Sequence, residues 1–319
     1  MKKTLLILLA LLVTVTPIAA KNRIRVIERD YFSYFAANAQ FVDRVDTAVI
    51  QARATLVAIL GDSLGYRPAI HMADNIEQFK ELIGSTIPDW GAAVAIPFRQ
   101  QIIVKSPAKF RIGKPLEELI KHEYAHLALH DRLYHTDPPR WLDEGVAMYV
   151  AHEWGWANNI SLSQAVVMGS TMPLAEIEMM NRFSEGRASI AYAQSLVAVK
   201  YLLETYGYES FHILLDSLRN RSSFDNAMMA ATGSDGAGFE KEFFDYLAGK
   251  YNLMTIFSDM SYLWLFLALV VIVGFILRYR RKRKYYRKWE EEEKYHSTDF
   301  DYGDPDHPEQ VDDEDKPWA

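Results

Sequence analysis

Two stretches of this chain are apolar on every side, and the sequence between them alternates in the ways that build a folded domain. Residues 5–13 are an unbroken apolar run behind Lys2 and Lys3, in an opening segment that reads MKKTLLILLALLVTVTPIAA. A helix without a polar face has no place on the outside of a soluble fold. A short apolar run that follows two lysines and ends in small residues is the pattern of a secretory signal peptide, so residues 1–20 are expected to direct export. Residues 260–277 (MSYLWLFLALVVIVGFIL) contain no charge. At 1.5 Å per residue they extend about 27 Å, near the hydrocarbon thickness of a bilayer, which predicts a transmembrane helix.

Only residues 21–252 can build a soluble core, and their periodicity changes part of the way along. A helical spacing runs over 37–60, a short strand over 67–72 and a helix over 75–83; strands follow at 92–96 and 101–105, separated by Pro97 to Gln100 and so expected to form a hairpin. From residue 115 helical spacing dominates, over 115–132, 139–152, 189–206, 210–219 and 239–251. This order predicts an α+β domain, a small N-terminal mixed sheet followed by a mostly helical part. The glycines at 233–238 (GSDGAG) lack the Lys-Ser/Thr of a phosphate loop and read as a turn.

Charge fixes the topology expected of the apolar runs. Arg278, Arg280, Arg281, Lys282, Arg283 and Lys284 directly follow the second run, and such clusters stay on the cytoplasmic side. Export of the N-terminus and retention of this block agree on one orientation, with residues 21–252 outside a bacterial cell membrane and 278–319 inside. The tail turns acidic at Glu290 to Glu293 and again through 299–315, with Pro305, Pro308 and Pro317, and is expected to be disordered; nothing in it points to a partner. The net charge of -7 gives no general reason to expect nucleic-acid binding, which calls for a basic surface to meet phosphates. The absence of cysteine excludes disulfides, thiol catalysis and thiolate metal ligands.

Inside the helix predicted at 115–132 stands His122-Glu123-Tyr124-Ala125-His126, an HExxH sequence. Residues four apart on a helix differ in direction by about 40°, so both imidazoles can meet one metal ion with Glu123 beside it. Pro115 suits a first helical turn, Glu117 and Glu118 favour the positive helix end, and Leu116, Leu119, Ile120 and Leu127 give an apolar face. A catalytic zinc commonly takes three protein ligands and leaves one position for water. Downstream, PPRWLDEGVA at 138–147 breaks the chain with two prolines and restarts a helix able to carry Glu144 back toward the first, which makes Glu144 the third ligand. His130 continues the histidine series, but three such positions diverge by about 80° and do not close round one ion. The metzincin sequence HExxHxxGxxH is absent, since Leu129 and Arg132 hold its glycine and last histidine positions. His135 and His152 read as surface or satisfied histidines rather than ligands, and Trp141 as a packing residue. Asp143 reads either as a hydrogen-bond partner of a ligand histidine or as an ordinary acid at a helix start.

The sequences HEYAHLALH at 122–130 and RWLDEGVAMYVA at 140–151 resemble the gluzincin zinc metallopeptidases, and among them the peptidase MA-like domains, with zinc aminopeptidases and thermolysin more distant. The likeness extends over 92–251; WGAAVAIP at 90–97 is similar to the strand before the family's zinc helix, and AYAQSLVAVKYLLETYG at 191–207 to a later helix. The resemblance implies a zincin-like fold, Zn2+ as cofactor with His122, His126 and Glu144 as ligands, Glu123 as general base, and a peptide or protein substrate. It also makes Tyr192 the candidate donor to a tetrahedral oxyanion, because the family often places a tyrosine in this helix. The interval from His126 to Glu144 is slightly shorter than in the familiar aminopeptidases, and Met148 stands where thermolysin has an acidic residue four places after the third ligand. Residues 91–95 carry no glutamate of the kind that binds a substrate amine in the aminopeptidases, which favours an endopeptidase. The alternative is a catalytically idle zincin-like module for binding or assembly at the membrane; intact ligands beside an intact Glu123 favour the enzyme.

Overall fold

The computed structural model describes residues 24–84, 91–134, 136–252 and 261–295. The expected signal peptide at 1–20, His135, and the acidic tail from 296 lie outside these residues. The chain divides into two units, one ending at Ile256 and one starting at Phe257.

The first unit begins with strands β1 (Arg25–Glu28) and β2 (Ser33–Ala36), helix α1 (Val42–Leu60), β3 (Ala69–Ala73), helix α2 (Ile76–Ile83), and strands β4 (Ala93–Ile96) and β5 (Gln101–Lys105). These form one sheet in the order β1-β2-β3-β5-β4. β2, β3 and β5 run parallel, while β1 and β4 are antiparallel to their neighbours at the two edges. The expected hairpin is β4 and β5, with Gln100 in the left-handed region at its turn (φ 56°). Alternation along the strands divides the two faces of the sheet. Tyr34, Ala36, Ile70, Met72, Ile102 and Val104 join the main core with Val49 and Leu56, whereas Ala73, Ile96 and Ile103 meet Phe79 and Ile83 of α2.

Helices follow: α3 (Leu116–Leu133), α4 (Arg140–Ala151), α5 (Trp156–Val167), a 3-10 stretch at Leu174–Arg182, α6 (Glu185–Arg219), α7 (Phe224–Thr232) and α8 (Gly236–Lys250). Pro115 and Pro139 each stand one position ahead of α3 and α4, where a missing N–H costs nothing. The helices expected at 189–206 and 210–219 are the two arms of α6, joined across a break at Gly207 (φ 82°, ψ 171°). Spacing did not reveal β1, β2, α5 or α7, and it started α1 five residues early, because Ala37 to Phe41 form a turn before the helix.

α3 packs against α1, α4, β4 and β5, and α4 lies between α3 and α6. The approach of α4 to α6 depends on Gly145. A Cβ there would fall 2.4 Å from the Ser195 carbonyl oxygen and 2.5 Å from a Val199 methyl, closer than atoms can pack. This contact sets how far Glu144 projects toward α3.

The second unit is one helix, α9 (Ser261–Tyr295), which over Leu263–Glu292 is long and apolar enough by length and composition to cross a membrane. Its helical geometry continues through the basic run from Arg278, where a disordered tail was expected, as far as Tyr295. Lysine, arginine and glutamate are strong helix formers, and Lys288 pairs with Glu292 one turn on at 3.5 Å.

Candidate metal centre

On α3, the four-residue spacing brings the rings of His122 and His126 to 4.9 Å between centroids at an angle of 76°. From α4, Glu144, only 3% exposed, directs Oε2 at both. That oxygen is 3.4 Å from His122 Nε2 and 3.8 Å from His126 Nε2, and the three groups together can hold a metal ion. Glu144 Oε2 is buried and makes no hydrogen bond. Its other oxygen pairs with Arg140 Nη2 at 2.7 Å, one turn back on the same helix.

The far nitrogens of both imidazoles also face carboxylates. His126 Nδ1 is 2.6 Å from Asp143 Oδ1, and the other Asp143 oxygen lies 3.3 Å from His130 Nε2. His130 therefore stands behind the cluster, as helix geometry required. His122 Nδ1 lies 2.9 Å from Glu153 Oε1, and Glu153 Oε2 is 2.5 Å from Lys114 Nζ.

These contacts set the charges. Burial works against ionisation of Asp143 and Glu144, but His126 and His130 hold Asp143, and His122, His126 and Arg140 hold Glu144, below the usual carboxylate range. Glu153 falls to about 2 as His122 and Lys114 outweigh burial. Burial opposes protonation of His122 and His126, yet Glu144 and Glu153 raise the first and Asp143 and Glu144 the second. The facing carboxylates thus favour protonation of both imidazoles, and a metal ion would compete with those protons. Glu123 behaves differently: burial raises its pKa more than the two imidazoles lower it.

Glu123, His122, His126, Glu144 and Tyr192 all line one cleft of about 1230 Å³, whose other walls include residues 91–95 along β4 and its approach. Tyr192 sits there on α6, its hydroxyl pushed up first by burial and then by the Glu144 charge, so it stays protonated. Met148 lines the cleft as a buried apolar side chain. His152 caps α4 in the left-handed region (φ 58°) and is not one of the three groups that could hold an ion together, while Trp141 packs on Phe224 and Phe239. Sequence reasoning missed Arg140, Glu153 and Lys114. Arg140 was within reach, since it precedes Glu144 by one helical turn; Glu153 lies beyond the end of α4, where no periodicity applies.

The sequence model of the Peptidase MA superfamily matches residues 50–249, from the middle of α1 to the end of α8. No curated protein matches the chain.

Proposed function

The chain belongs to the peptidase MA superfamily, and from that premise we propose that it is a membrane-anchored zinc peptidase that cleaves internal peptide bonds of proteins or peptides. One observation carries the reading: a buried carboxylate oxygen of Glu144 without a hydrogen-bond partner faces two imidazole Nε2 atoms at 3.4 and 3.8 Å. Leaving such an oxygen unpaired is costly unless a cation meets it. Donors at 2.0–2.1 Å from a tetrahedral zinc stand about 3.3 Å apart, so the spacing fits with small adjustment. Two imidazoles and a carboxylate are a donor set that zinc favours, with a fourth position left open.

Zinc held by His122, His126 and Glu144 would supply a Lewis acid that lowers the pKa of water to about 7 and polarises a peptide carbonyl. The chain's own groups divide the remaining work. Asp143 accepts the Nδ1 proton of His126, fixing the tautomer that leaves Nε2 toward Glu144. Arg140 occupies Glu144 Oε1 and leaves Oε2 free. Glu123, next to His122 and with a pKa raised by burial, takes the proton of the attacking water and delivers it to the leaving amine, which contributes about 10²- to 10⁴-fold. Tyr192, protonated in the same cleft, donates to the oxygen that gains charge.

α9 anchors this unit, and the basic run from Arg278 supports an orientation with the peptidase unit outside a bacterial membrane. Protease added to intact cells should then digest the unit, and its protection would reverse the orientation. For activity, the detergent-solubilised chain should cut a peptide library at internal bonds, lose this on chelation and regain it with zinc. Cleavage confined to N-terminal residues would replace the endopeptidase by an aminopeptidase. Tight zinc without cleavage would favour the idle module.

A further inference from the structure

His122 stands between two carboxylates supplied by a single helix and its exit turn. Nε2 faces Glu144 Oε2 at 3.4 Å, and Nδ1 faces Glu153 Oε1 at 2.9 Å. Both Nδ1 and Glu153 Oε1 are buried, and neither makes a well-formed hydrogen bond with any other group among the described residues. At 2.9 Å the two atoms are within hydrogen-bond reach of each other, and without that partnership each would remain buried and unpaired. The residue four positions after Glu144, Met148, is apolar and buried and offers no such partner.

The placement of Glu153 is built rather than incidental. α4 ends on His152 in the left-handed region, and the Glu153 N–H then closes onto the Met148 carbonyl at 3.0 Å, a helix-ending bond that turns the side chain back toward α3. Trp154 follows in the same turn, with Tyr251 edge-on at 6.3 Å and the Lys200 ammonium 5.1 Å from its ring centre. Lys114, just before α3, binds the second Glu153 oxygen at 2.5 Å. Glu153 thus ties the entry of α3 to the exit of α4.

We propose that Glu153, anchored by Lys114, is the positioning residue for His122: it accepts the Nδ1 proton, fixes the ring and its tautomer, and so aims Nε2 at the metal position beside Glu144. The inference rests on the zinc reading above. Each of the three metal-facing groups then has its own brace, Glu153 for His122, Asp143 for His126 and Arg140 for Glu144. Partners of this kind typically matter 10- to 100-fold in metal affinity.

The test uses the full chain in detergent, with zinc affinity measured by chelator competition and the visible absorption of the cobalt-substituted protein as a second readout. Glu153→Ala should weaken zinc by about 10- to 100-fold and shift the cobalt bands, because His122 loses both orientation and donor strength. Glu153→Gln keeps one acceptor oxygen and the side-chain volume, so it should recover part of the affinity and fold even if the alanine variant does not. Lys114→Met should lose less than Glu153→Ala. If zinc affinity and cobalt bands stay at wild-type values in both Glu153 variants, the inference fails while the zinc reading stands. A lowered melting temperature without any change in the bands or affinity would make Glu153 merely structural and also overturn it. Failure of the wild-type chain to bind zinc would overturn the zinc reading itself.

Discussion

α3 and α4 lie against each other and face the same cleft, yet they hold their functional groups by different means. In α3, His122 and His126 share a face through a spacing of four residues, and any helix with that spacing would present them alike. α4 delivers Glu144 only because of where it packs. Gly145 admits the backbone of α6 to a distance that no side chain would allow, and Arg140 and Asp143 reach from the same helix to Glu144 and His126. A motif written into one helix is completed by the seating of another. Conservative changes in α3 should therefore remove function and spare the fold, whereas changes in α4 should disturb both together.

The sharpest break in that comparison comes from α3. Glu123→Gln keeps the shape of the side chain and removes the base, so turnover should fall by about 10²- to 10⁴-fold or more while metal content and melting temperature hold. Activity at the wild-type level would leave no role for Glu123 as a base. On α6, Tyr192→Phe removes one hydroxyl. Turnover should fall by about 10²- to 10³-fold with little change in KM, since the donor acts mainly at the transition state; kinetics like wild type would return Tyr192 to packing. The smallest effect belongs to the seating of α4. Gly145→Ala should cost about 1–3 kcal/mol through overpacking, lower the melting temperature by several degrees and weaken metal binding in the same variant. A variant that lost stability with undiminished metal affinity would uncouple the packing of α4 from the position of Glu144.

What could be read from the chain follows the same division. HExxH, the helix that carries it and the restart at Pro139 are local patterns, and the hairpin of β4 and β5 announced itself through apolar runs flanking Pro97 to Gln100. β1 escaped because it is largely exposed, and β2 because Ser33–Ala36 runs straight into Ala37 with no Gly or Pro to mark its end. α5 and α7 begin at a glycine and a serine cap respectively, which read as loop residues, so their apolar faces blend into the loops around them. In the site, Asp143 could be proposed but not assigned, because its partner depends on how α4 is rotated against α3. Glu153 was invisible for a stronger reason: its position arises from a turn in which His152 adopts a left-handed conformation that sequence spacing does not encode.

The claim on which all of this depends is that α4 completes the metal centre begun by α3, and zinc stoichiometry in Glu144→Ala tests it most directly. The purified full chain should hold one zinc per molecule, and Glu144→Ala, with the remaining fold verified by its melting transition, should bind zinc at least about 10- to 100-fold more weakly, as removal of a direct ligand must cost no less than removal of a brace. One zinc bound with undiminished affinity in Glu144→Ala would contradict the account, because α3 would then hold the ion without the carboxylate that α4 brings to it.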